Sequence, residues 1–177
     1  LVAAALALSW WAHPFDQAML ELEGNVLLAD REGRVMRRIL PRGQQDCMPV
    51  SLDDMSPWLA KALIAAEDRR FHRHAGIDVL SLLRAVVQNV GNGRVVSGAS
   101  TLSTQVIRMA HPRPRTMVTK WIEMVEALQM EGRLSKEEIL EQYLNRAPMG
   151  GNVRGVQAAS LHYFGVNASE LTLAEAA

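Results

Sequence analysis

The sequence predicts a mainly α domain with one small β-hairpin near its N-terminal end, and three observations predict it. From Ser56 onward, apolar residues recur at helical spacing. That stretch is punctuated by helix-start chemistry: Asp78 ahead of an apolar run, then the boxes Ser135-Lys136-Glu137-Glu138 and Thr172-Leu173-Ala174-Glu175. Two short runs, Val26-Leu27-Leu28-Ala29-Asp30 and Arg34-Val35-Met36-Arg37-Arg38-Ile39, flank a turn at Arg31-Glu32-Gly33 and read as the hairpin.

The chain opens on an apolar run that ends in Trp10-Trp11-Ala12. It is shorter than the roughly 20 residues that span a bilayer. It reads either as the end of a longer membrane anchor or signal segment, with the tryptophans at the interface, or as an amphipathic or buried helix. We take residues 1–20 as the anchor or signal remnant and 21–177 as the domain. After the hairpin, 41–49 reads as a loop. Pro57 suits the first position of a helix through Trp58, Leu63 and Ile64 to Glu67. Asp78 caps a helix through Val87, ended by Gly91-Asn92-Gly93. A helix from about Ser100 to Ala110 is broken by His111-Pro112-Arg113-Pro114. A long helix runs from about Arg115 to Glu131, with Gly132 as its stop, and Ser135 opens the next one, to Asn145. Gly150-Gly151 turns the chain into a shorter helix over about Arg154 to Leu161. The box at Thr172 starts a helix just before the sequence ends, so the domain is expected to be truncated at its C-terminal end.

Composition narrows the class. With 177 residues, 49% of them hydrophobic, the chain can bury one sizeable core. Lys plus Arg and Asp plus Glu both number 19, a balance that argues against a nucleic-acid partner. The single Cys47 excludes an intrachain disulfide and a cysteine-based zinc site.

Three segments carry candidate chemistry. At helical spacing Glu67 shares a face with Ala60, Leu63 and Ile64, which points a carboxylate at the interior. Such misplaced acids cluster at active sites; the alternative is a helix-end glutamate neutralised by Arg69 or Arg70. In the second segment, Leu102, Val106 and Met109 form one face, while Thr101, Thr104, Gln105 and Arg108 form another suited to a sugar or phosphate, or simply to solvent. In the third, Trp121, Met124, Val125 and Leu128 make a core stripe beside Lys120, Glu123, Ala127 and Glu131. There Lys120 and Glu123 are either an i,i+3 ion pair or a cationic clamp with a second carboxylate. Two near-misses fall away. The run Gly93 to Ser100 has P-loop spacing but Ala99 in place of the lysine, and His72-Arg73-His74 lacks the spacing and third ligand of a zinc-enzyme motif. A semi-buried Glu, a hydroxyl-rich helix start, several cations and a second Glu fit glycosyl transfer with an anionic leaving group.

In order, the chain carries Glu67-Asp68-Arg69-Arg70-Phe71 through His74-Ala75-Gly76; Gly98-Ala99-Ser100-Thr101-Leu102 through Gln105; and Lys120-Trp121-Ile122-Glu123 through Glu131. Ser135-Lys136-Glu137-Glu138-Ile139-Leu140-Glu141-Gln142-Tyr143-Leu144-Asn145 follows, then Ala158-Ala159 through Tyr163-Phe164-Gly165 with Leu171 to Ala177. With these five motifs the chain resembles the peptidoglycan glycosyltransferase domain of class A penicillin-binding proteins, most closely the 1C type. The resemblance implies a lysozyme-like, mostly α fold with a membrane-facing jaw that would include Leu80, Leu83, Val86, Val87, Val95 and Val96. It implies polymerisation of lipid II into β-1,4 glycan with inversion and release of undecaprenyl pyrophosphate, with the domain held at the outer face of the cytoplasmic membrane. By position, Glu67 matches the base for the acceptor 4-hydroxyl and Glu123 the second essential carboxylate. Arg108, Arg115 and Lys120 match cations that hold the pyrophosphate, and Ser100, Thr101 and Gln105 match polar residues lining the cleft. A divalent cation such as Mg²⁺ often assists in the family, with no protein metal ligands carried over here. The natural chain would continue into a transpeptidase domain, whose Ser-x-x-Lys is not in this sequence. The sequence departs from the pattern at Thr119, where many members have Arg, at Thr104, which replaces the first of a common Gln pair, and in a short connection around Pro112-Arg113-Pro114. Two other functions stay open: a lytic, lysozyme-like enzyme using Glu67, and a cell-wall scaffold without turnover.

Overall fold

Helices in the computed structural model, which describes residues 8–41, 43–94 and 98–177, begin where the capping residues stand. In chain order the longer elements are a helical segment α1 over 8–12, strands β1 (Val26–Ala29), β2 (Val35–Ile39) and β3 (Asp46–Cys47), and helices α2 (Pro57–Glu67), α3 (Val79–Asn92), α4 (Leu102–Ala110), α5 (Met117–Glu131) and α6 (Lys136–Arg146). Then come β4 (Val153–Arg154), α7 (Val156–Tyr163) and α8 (Leu173–Ala176). Pro57 is the first residue of α2, where a missing N–H costs nothing. Asp78 caps α3 by accepting from the N–H groups of Leu80 and Ser81, and Gly93 closes it in the left-handed conformation at φ +62°. Thr116 caps α5, and reciprocal bonds between Ser135 and Glu138 open α6, the second of these as the sequence pattern predicts.

The chain packs as two compact units, Leu1–Met19 with Ile64–Ile139 and Leu20–Leu63 with Leu140–Ala177. In the first unit α4 packs on α5, and Val106, Ile107, Val125, Ala127 and Met130 are all fully buried. Gly76 lies against α5 at φ +91°, where a Cβ would come within 3.0 Å of the Ala127 backbone carbonyl. Only glycine tolerates both that angle and that approach. Gln129 receives the N–H of Phe15 at 2.6 Å and donates to the carbonyls of Trp10 and His13, so residues 10–15 are stitched to α5. No helix among the described residues is long and apolar enough to cross a membrane; residues 1–7 of the proposed anchor remnant lie outside them.

The second unit is built on Met55, Leu59, Leu144, Val156, Ala168 and Leu171. Its hairpin pairs β1 with β2 antiparallel, Val26 opposite Ile39, with an irregularity between Leu28 and Ala29. The loop expected over 41–49 is interrupted by a strand: β3 pairs in parallel with β4, Asp46 opposite Val153. Two-residue strands have no periodicity to read. Asn145 clamps Val50 by both accepting from its N–H and donating to its carbonyl. Arg146 is fully buried on the Leu20 carbonyl and Gln142, and burial pulls its guanidinium down to about 10. Burial likewise pushes the Cys47 thiol up.

Candidate active site

Glu67 is the last residue of α2, and it is exposed. The expectation that it faces the interior therefore fails, because helical periodicity was extended to the residue where the helix stops. The inward acid is its neighbour Asp68, 7% exposed, which accepts the Leu102 N–H at 3.1 Å and lies 3.1 Å from His74 Nε2. Nor do the arginines neutralise Glu67. Arg69 donates to the Ala65 carbonyl and Arg70 stands 3.6 Å from Asp78. Gln105, one turn into α4, instead donates its amide to Glu67 Oε2 at 3.0 Å.

Glu67 lines a cleft of about 490 Å³ together with Arg69, Arg70, Arg84, Asp78 and residues 98–101. Residues 98–100 also border a smaller pocket of about 110 Å³, lined by Leu82, Thr104, Arg108, Lys120, Glu123 and Met124. Ser100 is exposed and borders both. Residues 95–97, which include part of the glycine-rich near-miss and Val95 and Val96, expected from the resemblance to belong to a jaw, lie outside the described residues.

In the smaller pocket Glu123 is 4% exposed, and Arg108 grips both of its oxygens, with Nε at 3.2 Å from each and Nη2 at 2.9 Å from Oε2. This fork is the strong geometry for a buried carboxylate. Lys120 does not pair with Glu123. It is exposed, and among the described residues no carboxylate lies within 4.0 Å of its ammonium. Arg115 is exposed just ahead of α5 and lines neither pocket. Thr101 lines the larger cleft, but its hydroxyl serves the backbone, donating to the Gly76 carbonyl at 2.6 Å and forming a capping box with Thr104. Thr104 and Thr119, two of the three departures from the family pattern, are thus cap residues: Thr119 is buried with its hydroxyl 2.9 Å from the N-cap hydroxyl of Thr116. Arg113 in the short connection forks onto Glu126 at 2.6 Å, which holds its guanidinium above its ordinary range.

Beside these pockets α3 exposes Leu80, Leu83, Val86 and Val87. Burial opposes ionisation of its cap Asp78, but hydrogen bonds from Ser81 and the Arg70 guanidinium carry the carboxyl below its ordinary range. Among the described residues no three His, Cys, Asp or Glu side chains converge as a metal site. With Glu123 occupied by Arg108, the acids of the two pockets do not fit a protein-held Mg²⁺.

Comparison with known proteins agrees with the motif order. The family model described as transglycosylase matches residues 32–177. Penicillin-binding protein 1C of Escherichia coli is 47% identical over 129 residues, covering 73% of this chain and 17% of the relative. Penicillin-binding protein 1A of Haemophilus influenzae is 37% identical over 158 residues, covering 89% and 18%, and its Escherichia coli counterpart is 40% identical over 136 residues, covering 76% and 16%. The match thus spans about a sixth of the length of these curated relatives. With the match running from the hairpin turn to Ala177, the chain belongs to the transglycosylase family.

Proposed function

We propose that the chain is a peptidoglycan glycosyltransferase domain that polymerises lipid II into β-1,4 glycan, with inversion at the donor carbon and release of undecaprenyl pyrophosphate. The observation that carries this is one wall, residues 98–100, shared by a cleft holding the Gln105-oriented carboxylate of Glu67 and a pocket lined by Lys120, whose ammonium has no carboxylate partner among the described residues. Glu67 acts as general base. Gln105 occupies Oε2, and no described residue donates to Oε1. That oxygen takes the proton from the acceptor 4-hydroxyl as the hydroxyl oxygen bonds to the donor C1 and the C1–pyrophosphate bond breaks. Lys120 meets the charge that develops on the departing pyrophosphate. Glu123, with both oxygens on Arg108, acts by fixing that guanidinium, whose Nη1 stays uncommitted among the described residues and turns to the phosphates. Ser100 and Thr101 line the acceptor path, and Arg115 joins the cations once the substrate is bound. A divalent cation would arrive on the pyrophosphate itself.

The apolar surface of α3 supports a jaw resting on the outer face of the cytoplasmic membrane, where the lipid tails of donor and acceptor remain. The greater length of the relatives supports a further domain, a transpeptidase, in the natural chain. The test is polymerisation of labelled lipid II by the wild type beside Glu67→Gln. The variant is expected to keep its fold and lose glycan synthesis. Wild-type product from Glu67→Gln would overturn the assignment.

A further inference from the structure

Five side chains that this reaction does not consume form a closed circuit next to Glu67. The Leu102 N–H donates to Asp68 Oδ2 at 3.1 Å, and His74 Nε2 lies 3.2 and 3.1 Å from the two Asp68 oxygens. Lys136 donates Nζ to the His74 carbonyl and to Glu131 Oε1, each at 2.7 Å. Ser103 donates its hydroxyl to Glu131 Oε1 at 2.5 Å. Leu102 and Ser103 are consecutive, so the circuit closes on the first turn of α4. Four of its members have buried side chains: Asp68 is 7% and Ser103 0% exposed, and the side chains of His74 and Glu131 are 5% exposed, while that of Lys136 is half-buried at 20%. The fully buried Phe71 ring lies under it, 4.3 Å from the Lys136 ammonium.

The circuit holds both ends of the hydrogen bond that orients the base. Asp68 follows Glu67 directly, while Gln105 stands one turn after Leu102 on α4. Shifting the first turn of α4 against Asp68 moves Gln105 away from the Glu67 carboxylate. Within the circuit, His74 works through one atom. Its Nδ1 is the single buried side-chain polar atom without a partner among the described residues. Everything polar that the imidazole does therefore passes through Nε2 to Asp68.

We propose that His74 is a positioning residue for the base: through Asp68 and the closed circuit it fixes α4, and hence Gln105, against Glu67. This rests on Glu67 as general base. It predicts that glutamine, whose side-chain nitrogen reaches about as far as Nε2, replaces His74, whereas alanine does not.

The test is steady-state lipid II polymerisation by the wild type, His74→Ala, His74→Gln and Glu67→Gln, with folding followed by circular dichroism. His74→Ala is expected to lower kcat about 10–100-fold with KM within about threefold, as for a reacting group displaced by about an ångström. His74→Gln is expected to restore kcat to within about threefold of wild type. Wild-type kcat in His74→Ala, a change confined to KM, or a His74→Gln as impaired as the alanine variant would each overturn the proposal. Should Glu67→Gln be inactive while His74→Ala turns over normally, the positioning role alone fails; an active Glu67→Gln removes the base assignment on which it stands. If His74→Ala does not fold, Ser103→Ala breaks the same circuit at its smallest member. A lowered kcat at unchanged KM then supports the proposal, and an unchanged kcat refutes it.

Discussion

Replacing Arg108 by methionine keeps most of the aliphatic stem, removes the guanidinium, and so strands the Glu123 carboxylate. The Glu123 side chain is 5% exposed and that of Arg108 32%, and no second cation lies within 4.0 Å of Glu123 among the described residues. Breaking a buried pair by removing one partner costs about 3–5 kcal/mol. The partial exposure of Arg108 puts this case at the lower end, near 3 kcal/mol, which in a domain of this size lowers Tm by about 6–12 °C. The double variant Arg108→Met/Glu123→Gln exchanges the stranded charge for a buried amide, whose own cost is about 1–3 kcal/mol. It should therefore be more stable than the single variant by up to about 2 kcal/mol, and a double-mutant cycle with both single variants isolates the coupling of the pair. Urea unfolding of wild type, both single variants and the double, with m-values compared to keep the unfolded states equivalent, measures it. A single-variant cost below about 1 kcal/mol, or a coupling energy near zero in the cycle, would mean that the pair behaves as a solvent-screened surface contact. The account of Glu123 as the holder of Arg108 would then be wrong.

Gly76→Ala should cost about 2–4 kcal/mol in urea unfolding, because φ +91° is strained for alanine and its Cβ would press the Ala127 carbonyl at 3.0 Å; unchanged stability would refute that packing. Lys120→Met should leave stability within about 0.5 kcal/mol, since no carboxylate among the described residues pairs with it, yet lower kcat about 10²–10³-fold if the ammonium meets the leaving pyrophosphate; full turnover would remove it from that role. Asp78 has a depressed carboxyl pKa in the folded state, so its stabilisation of the α3 start is complete above its unfolded value near 4 and fades as pH falls through the folded one. Compared with Asp78→Asn, the wild type should lose its stability advantage progressively as pH falls below about 4, and an advantage that does not decline on acidification would exclude the ionised cap.

What the sequence makes legible here is chemistry closed within one turn. Asp78, Ser135 and Thr172 satisfy N–H groups two or three residues ahead, so their helices start as read. Contacts made across the chain are not legible in that way. β3 with β4, Arg108 with Glu123, and Asp68 with His74 and Leu102 depend on approaches that no local spacing encodes. The error over Glu67 and the neglect of Asp68 have the same origin. Periodicity assigns faces only while the helix continues, and α2 ends at Glu67, so the next residue turns inward in its place. The two threonine departures show the converse. Judged as substrate contacts, Thr104 and Thr119 look like losses; judged by position, each stands third in a helix whose N-cap is also threonine. Both are buried, and each hydroxyl faces the N-cap hydroxyl, at 3.3 Å for Thr104 and 2.9 Å for Thr119. Restoring the longer family residue at either position would exchange a cap contact, about 1 kcal/mol at the helix starts that carry Gln105 and Lys120, for a polar group that must leave the interior. At these two positions helix geometry decides the residue, and the pockets inherit the result.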